Sequence, residues 1–289
     1  MVVLKFIRGH PLIVYFGLAY SLSAVALLVI GPPDLSGRFP VPSSSFVMFP
    51  VLVIGVGVSG AILTAITAGS QGVRGLLVRI IRWRLGAWAL VLLIPPIGIT
   101  LVLNAFRIGV STAFSQHLTI GFAALGIAIG VLAGTFEEIG WTGFAYPRLS
   151  SRYGALGGAL LLGVLWGLWH FPVADSLGAA SPHGADFPAF FASFVAAMVA
   201  MRVLIAWVYT STGSVLGAQL LHACSTASLV VLSAPKVTAA QEAAWYAVYA
   251  LVLWTVVAVV MLRFAPSLAG RAVPLRPAGE SASITELAS

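Results

Sequence analysis

Two adjacent glutamates, Glu137 and Glu138, stand at the end of a long apolar run of the sequence. A charged side chain inside a membrane helix costs about 2.5 to 3.5 kcal/mol on insertion scales, so the fold must use or neutralise this pair. Gly126, Gly130 and Gly134 precede the pair, and on a helix the carboxylates continue this stripe of small residues. Such stripes let membrane helices pack closely, so we expect both carboxylates to face protein or a cavity. The alternative is a structural pair, hydrogen-bonded or protonated, that holds helices together.

Two histidines, His170 and His222, interrupt later apolar segments. Helical spacing puts His170 on one face with Gly167, and His222 on one face with Thr226. Cys224 points away from His222, which predicts a buried inert thiol rather than a nucleophile. Taken singly, each histidine fits a structural role equally well, with its ring bonded to a backbone carbonyl.

The carboxylates and the histidines can meet at one depth of the bilayer. At the helical rise of about 1.5 Å per residue, Glu137, His170 and His222 lie about 16, 22 and 13 Å from the same side of the membrane. Tilted helices can bring the three to one level, in a site that lies inside the bilayer and is reached from the cytoplasm.

Such a site predicts hydrolysis of a peptide bond without a covalent intermediate, by one of two mechanisms. In the first, Glu137 is the general base for a water oriented by His170, while His222 and Thr226 donate hydrogen bonds to the oxyanion. In the second, Glu137, His170 and His222 bind Zn²⁺ with an open fourth position, and the metal activates the water. The first mechanism needs no cofactor, and the residues alone leave both open.

The composition predicts an all-α polytopic membrane protein. Of the 289 residues 60% are hydrophobic and only 8% are charged, with a mean hydropathy of +1.04. The net charge of +7 is spread over loops and ends, which fits anionic lipid headgroups rather than nucleic acid. The single cysteine excludes an intramolecular disulfide and a cysteine-cluster metal site.

The apolar segments predict eight spans, at about 12–30, 46–68, 87–106, 118–147, 155–171, 189–209, 215–232 and 243–262. The third span is broken by Pro95-Pro96, and residues 71–86 mix apolar side chains with four arginines, which predicts an interfacial helix. The first span is expected to be an uncleaved anchor. Basic residues alternate with the spans, so both termini are predicted to be cytoplasmic.

Four regions follow from this order of spans. Residues 1–68 form the first two spans, 69–235 the core with the polar clusters, 236–265 the last span, and 266–289 a disordered cytoplasmic tail. The preference for Arg over Lys fits a bacterium with a GC-rich genome, and hence a bacterial plasma membrane.

Three motifs carry a family resemblance, and they keep that family's order and separation: Glu137-Glu138-x-x-x-Thr142, Trp166-x-x-x-His170 and His222-x-x-x-Thr226. They resemble the Glu-Glu-x-x-x-Arg, aromatic-x-x-x-His and His-x-x-x-Asn motifs of the CAAX protease and bacteriocin-processing (CPBP, or Abi) family. The resemblance extends over about residues 76–228.

The resemblance implies an eight-helix intramembrane endopeptidase acting on a membrane-associated peptide or protein, with a lipidated substrate as one candidate. It implies that Glu137 and His170 activate water and that His222 with Thr226 stabilises the oxyanion. Eukaryotic members remove the last three residues of prenylated CAAX proteins, and bacterial members are linked to peptide maturation or bacteriocin self-immunity. The family has been described both as metalloprotease and as glutamate protease. The resemblance implies no oligomeric state.

Two residues depart from the family motifs. Thr142 stands in place of the arginine that can pair with Glu138, and Thr226 stands in place of asparagine. Glu138 is then either protonated or bonded to the Thr142 hydroxyl. These departures keep open an inactive relative that binds a membrane partner or confers bacteriocin immunity. The glutamate pair itself leaves a third function open, a transporter with a proton or cation site at Glu137 and Glu138, although the sequence lacks inverted repeats.

Overall fold

A computed structural model of the chain describes residues 2–83, 85–109, 114, 118–234 and 236–269. Every regular element in this part of the chain is helical, as the composition predicts. The α-helices, in chain order, are α1 (Val2–Gly9), α2 (Pro11–Ile30), α3 (Ser44–Ile81), α4 (Ile94–Gly109), α5 (Ile120–Gly140), α6 (Tyr146–Trp169), α7 (Phe171–Ala174), α8 (Phe187–Thr212), α9 (Val215–Val231) and α10 (Ala239–Ala269).

Two long helices are broken at a glycine. In α3, Gly69 has a φ of 62°, and in α6, Gly154 has a φ of 74°. A residue with a side chain rarely adopts this left-handed conformation, so glycine allows the chain to turn at one residue and the helix to resume directly after it. Gly69 separates the second span from the arginine-rich segment, and Gly154 separates the fourth span from the fifth. Both breaks fall where the sequence predicts a boundary.

The structure contains a counterpart of each predicted span. Six helical runs of the described residues are long and apolar enough to cross a membrane. One of them, Ile120–Trp169, contains the break at Gly154, and Val215–Val231 is a shorter apolar helix. The broken run supplies two segments, the other five runs supply one each, and the shorter helix adds one. The described part of the structure therefore has eight apolar segments in the predicted order. The chain is therefore a multi-pass membrane protein.

Short helical segments of other types connect these helices. A 3-10 helix, Gly86–Leu93, leads into α4, whose first turn contains the Pro95-Pro96 pair that the sequence marks as a break. A π-helical turn, Trp141–Ala145, joins α5 to α6. A second 3-10 helix, Gly184–Asp186, precedes α8.

Two sequence predictions extend beyond the described residues. Arg84 of the interfacial segment lies outside them. The tail predicted for residues 266–289 begins within α10, which continues to Ala269, and residues 270–289 lie outside the described part of the chain.

Candidate functional site

Helix α5 carries the glutamate pair and packs closely against a helix on each side. Towards α9, a Cβ atom on Gly134 would lie 2.4 Å from the Gln219 carbonyl oxygen. Towards α3, a Cβ atom on Gly57 would lie 2.4 Å from the Phe136 carbonyl oxygen. Neither distance leaves room for a side chain, so the glycines set the helix separation. The predicted role of the glycine stripe, close approach of a second helix, is confirmed on the side of α9.

A π-helical turn begins at Trp141, directly after this helix, and its first two residues bind the two carboxylates. The Trp141 indole Nε1 donates to Glu137 Oε2 at 3.1 Å. The Thr142 hydroxyl donates to Glu138 Oε2. The wider turn keeps both side chains on the glutamate face, and π-helical turns frequently occur at functional sites.

Helix α9 begins at a turn that the sequence encodes locally. Gly213 has a φ of 64° and ends α8, and the Ser214 hydroxyl accepts from the Gly217 N–H at 3.0 Å. The same hydroxyl donates to the Arg82 carbonyl at 2.6 Å. This anchored start places His222 two turns into the helix, where its Nδ1 lies 2.7 Å from Glu138 Oε1.

The hydrogen bonds of the two histidines define their tautomers. His170 Nδ1 lies 2.8 Å from the Trp166 carbonyl oxygen, and His222 Nδ1 lies 2.7 Å from Glu138 Oε1. A carbonyl and a carboxylate accept hydrogen bonds, so each Nδ1 carries the hydrogen and donates. In the neutral rings the lone pair is therefore on Nε2. The hydrogen bond from His170 to a backbone carbonyl is the structural role that the sequence also allows. The same bond directs Nε2 away from the helix backbone.

The Trp166 indole connects the three motifs. Its Nε1 donates to Glu137 Oε2 at 2.7 Å. Its ring centroid lies 5.5 Å from that of His170 and 5.1 Å from that of His222, with edge-on geometry in both cases. Trp166, Glu137 and the two histidines are each at most 5% exposed. The sequence identifies Trp166 only as the aromatic residue of a motif, because its contacts with the other motifs depend on helix packing.

A buried arginine that no motif contains completes the environment of Glu138. Arg202, from the apolar helix α8, donates through NH1 to Glu138 Oε2 at 2.8 Å and through NH2 to Oε1 at 2.9 Å. Of the two alternatives for Glu138, the bond from the Thr142 hydroxyl is confirmed, and Arg202 and His222 are added to it. The available sequence signal was a single charge within an otherwise apolar span.

The remaining candidates lie near this cluster. Thr226 is half-buried one turn beyond His222 on α9. Glu137 and His170 are linked through Trp166, because each bonds to that residue. No three His, Cys, Asp or Glu side chains of the described residues are grouped so as to hold a metal ion. Zinc binding by Glu137, His170 and His222 stays a prediction from the residue types.

Known proteins match the part of the chain that forms this cluster. Residues 119–228 match the family described as Type II CAAX prenyl endopeptidase Rce1-like. The segment contains all three motifs, and the resemblance drawn from them is confirmed. A CAAX prenyl protease 2 of Methanococcus maripaludis is 51% identical over 43 residues, which are 15% of this chain and 16% of that protein.

Proposed function

We propose that the protein is an intramembrane endopeptidase that hydrolyses a peptide bond of a membrane-associated substrate. The observation that carries this proposal is the Trp166 ring, which binds Glu137 and touches both histidines. A general base and two imidazoles around one buried point are the groups that water attack on a carbonyl needs. The match over residues 119–228 favours the same chemistry over a transporter.

In the proposed reaction Glu137 and His170 hold the attacking water. The indole N–H groups of Trp141 and Trp166 both bind Glu137 Oε2. The water therefore hydrogen-bonds to the other carboxylate oxygen, Oε1, and to the His170 Nε2 lone pair. Glu137 accepts a proton as the water oxygen attacks the carbonyl carbon, and the carbonyl electrons move to oxygen. Glu137 then returns the proton to the amide nitrogen as the carbon–nitrogen bond breaks, which balances the reaction.

His222 and Thr226 stabilise the oxyanion of this reaction. The Glu138 carboxylate holds His222 Nδ1–H, so Nε2 is the ring atom left to face the oxyanion, and a proton on Nε2 makes it a donor. The Thr226 hydroxyl supplies a second donor one turn away. A hydroxyl donates one hydrogen bond, so it fills the role of the asparagine that the motif usually contains.

An apolar groove between the end of α6 and the start of α8 supports a substrate with a lipid anchor. The groove has a volume of about 710 Å³, and its lining includes Leu168 of α6, Phe187 and Phe191 of α8, and Pro32 and Pro33 of the loop after α2. A prenyl chain fits such a groove, because its walls are almost entirely apolar. The name of the matching relative, a CAAX prenyl protease, points to the same substrate class.

The proposal is tested with purified full-length protein in lipid nanodiscs. The probes are two fluorogenic peptides, each ending in a cysteine followed by three residues, one farnesylated at the cysteine and one not. We expect cleavage of the farnesylated peptide and loss of at least about 100-fold in kcat for Glu137→Gln and for His170→Ala. Cleavage that is unchanged in Glu137→Gln, or no cleavage of either peptide by folded protein, contradicts the proposal.

The same preparation separates the two mechanisms of water activation. Stoichiometric zinc, with activity lost on chelation and restored by zinc, assigns water activation to a metal. Activity that is insensitive to chelators assigns it to Glu137 and His170. An inactive relative that binds a membrane partner predicts a third result, in which a cellular immunity phenotype survives Glu137→Gln.

A further inference from the structure

The unexplained feature of the site is Arg202, a fully buried charge in the middle of α8. The helix has 26 residues, and the residues next to Arg202 in sequence, Met201 and Val203, are buried and apolar. Arg202 itself is 1% exposed. An arginine in such a position is retained only where a partner compensates its desolvation, so its partner indicates what it does.

The partner is Glu138, and the contact is bidentate. NH1 and NH2 donate to the two different carboxylate oxygens, at 2.8 and 2.9 Å. This fork-to-fork geometry restricts the carboxylate plane more strongly than a single hydrogen bond does. The same Glu138 Oε1 holds His222 Nδ1, so the guanidinium positions the imidazole through the carboxylate.

The guanidinium also reaches the position where the first motif normally carries its arginine. Arg202 NH1 lies 3.4 Å from the Thr142 hydroxyl oxygen, which itself donates to Glu138. The space that a longer side chain at position 142 would need is therefore occupied by the end of Arg202. The carbon Cζ lies 4.2 Å from the centroid of the Trp166 ring, which stacks on the charge from the other side.

A glycine on α6 provides room for this arginine. A Cβ atom on Gly163 would lie 2.9 Å from Val199 Cα and 3.3 Å from Arg202 Cβ. Any larger residue at position 163 would push α8 away from the site. The path of Arg202 to Glu138 is thus prepared by a second helix.

We infer that Arg202 is a positioning residue which replaces, from another helix, the arginine missing at position 142. It fixes the Glu138 carboxylate, which in turn orients His222 towards the substrate carbonyl. This inference rests on the proposed endopeptidase function. Because Glu138 keeps a guanidinium partner, the threonine at position 142 no longer favours an inactive relative.

The inference is tested by moving the arginine back. The variants are Arg202→Met, Thr142→Arg and the double variant, with Arg38→Met as a control at an exposed loop position. We expect each single variant in the site to lower kcat on the farnesylated peptide by about 10- to 100-fold, with KM little changed, because orientation rather than binding is lost. Thr142→Arg fails alone because two guanidinium groups then compete for one carboxylate in a filled space.

The double variant should recover kcat to within about 10-fold of wild type, above either single variant, because one guanidinium again faces Glu138. Thermal unfolding is measured on every variant. A double variant that regains wild-type thermal stability but not kcat overturns the positioning role and leaves a structural one. Wild-type kcat in Arg202→Met overturns it as well.

Two further variants keep the result interpretable. Arg202→Lys retains a positive charge without the bidentate contact, so it should fold and still show lowered kcat. Glu137→Gln in the same assay separates the two proposals. Activity that survives Glu137→Gln contradicts the endopeptidase mechanism itself. Activity that is lost in Glu137→Gln but retained in Arg202→Met and Arg202→Lys contradicts only the role of Arg202.

Discussion

The two tryptophans of the second motif lie three residues apart and make different hydrogen bonds. Trp166 donates to the Glu137 carboxylate at 2.7 Å, whereas Trp169 donates to the Ala19 carbonyl of α2 at 3.2 Å. The first bond orients the proposed general base, and the second ties α6 to a neighbouring helix. The pair therefore allows a catalytic effect and a packing effect to be separated with the same chemical change.

We predict that Trp166→Phe lowers kcat about 10-fold with little change in KM. Phenylalanine keeps an aromatic ring beside both histidines but removes the N–H, and a hydrogen bond to a charged group contributes about 1.5 to 3 kcal/mol. Trp141 still donates to Glu137, so part of the orientation remains. Steady-state hydrolysis of the farnesylated peptide measures the effect.

Trp169→Phe is the matched control. It should lower the free energy of unfolding by about 1 kcal/mol, because one buried carbonyl bond is lost, and leave kcat near the wild-type value. Equal losses of kcat in the two variants would show that the bond to Glu137 has no special role.

At the level of single residues, the sequence predicts the groups that carry charge but not their partners. Spacing within a helix identifies Glu138 and His222 as inward-facing, and the structure pairs them directly. Arg202 lies 64 residues from Glu138 in the chain, and their contact depends on the rotation and depth of α8. One sequence contains no information on these two quantities beyond the general requirement that a buried charge has a partner.

The packing of α5 against α9 is the element-scale feature on which the site depends. In addition to the contact with Gln219, a Cβ atom on Gly134 would lie 2.8 Å from the Ala223 backbone nitrogen. Backbone atoms on the facing helix cannot rotate away as a side chain can. His222 precedes Ala223 directly, so any displacement of α9 moves its ring relative to Glu138.

We therefore predict that Gly134→Ala lowers kcat at least about 10-fold and destabilises the protein by about 1 to 3 kcal/mol, as overpacking does. The matched control is Gly121→Ala in the first turn of the same helix, where a Cβ atom would meet nothing within 4 Å. It should leave kcat and thermal stability near wild type. A Gly134→Ala variant that behaves like this control would contradict the close approach of the two helices.

The elements themselves were largely predictable, and the exception has a physical cause. Apolar length predicts the helices and the span boundaries near which α3 and α6 break, at Gly69 and Gly154. The π-helical turn Trp141–Ala145 was not predicted, since the fourth span was expected to run as one regular helix. A π turn is stabilised by tertiary contacts, here the bonds of its side chains to the two carboxylates, and local sequence preference does not specify it.

At the scale of the whole molecule, charges separate towards the two ends of the bundle as the spans require. At one end Arg8 binds the Ile66 carbonyl, Arg148 binds the Thr67 hydroxyl, and Arg79 binds the Tyr209 hydroxyl. At the other end His183 lies between two carboxylates, with Nδ1 at 2.7 Å from Asp175 and Nε2 at 3.1 Å from Glu242. The sequence predicts this separation from alternation alone.

The His183 cluster predicts a pH dependence of stability. Burial lowers the pKa of His183, but hydrogen bonds to Asp175 and Glu242 outweigh this effect, so the net pKa is raised. The raised value means that the folded state binds the proton more tightly. The stabilisation is complete below the unfolded pKa of about 6.5 and is lost as the pH rises through the raised folded value.

The melting temperature in detergent should therefore fall as the pH rises above about 6.5. His183→Gln should be less stable below that pH and should flatten the dependence. His10→Gln, at an exposed position, serves as the control and should keep the wild-type slope. A slope unchanged in His183→Gln would assign the pH dependence to other groups.

The orientation of the bundle is the remaining whole-molecule prediction. Since basic residues gather at the end that contains Arg8 and Arg148, this end should face the cytoplasm and the loop that contains Asp34 should face outward. Two exposed serines, Ser36 in that loop and Ser151 at the basic end, offer matched positions for labelling. With Cys224 first replaced by alanine, Ser36→Cys should react with a membrane-impermeant maleimide on intact cells. Ser151→Cys should react only after permeabilisation, and the reverse pattern would contradict the predicted orientation.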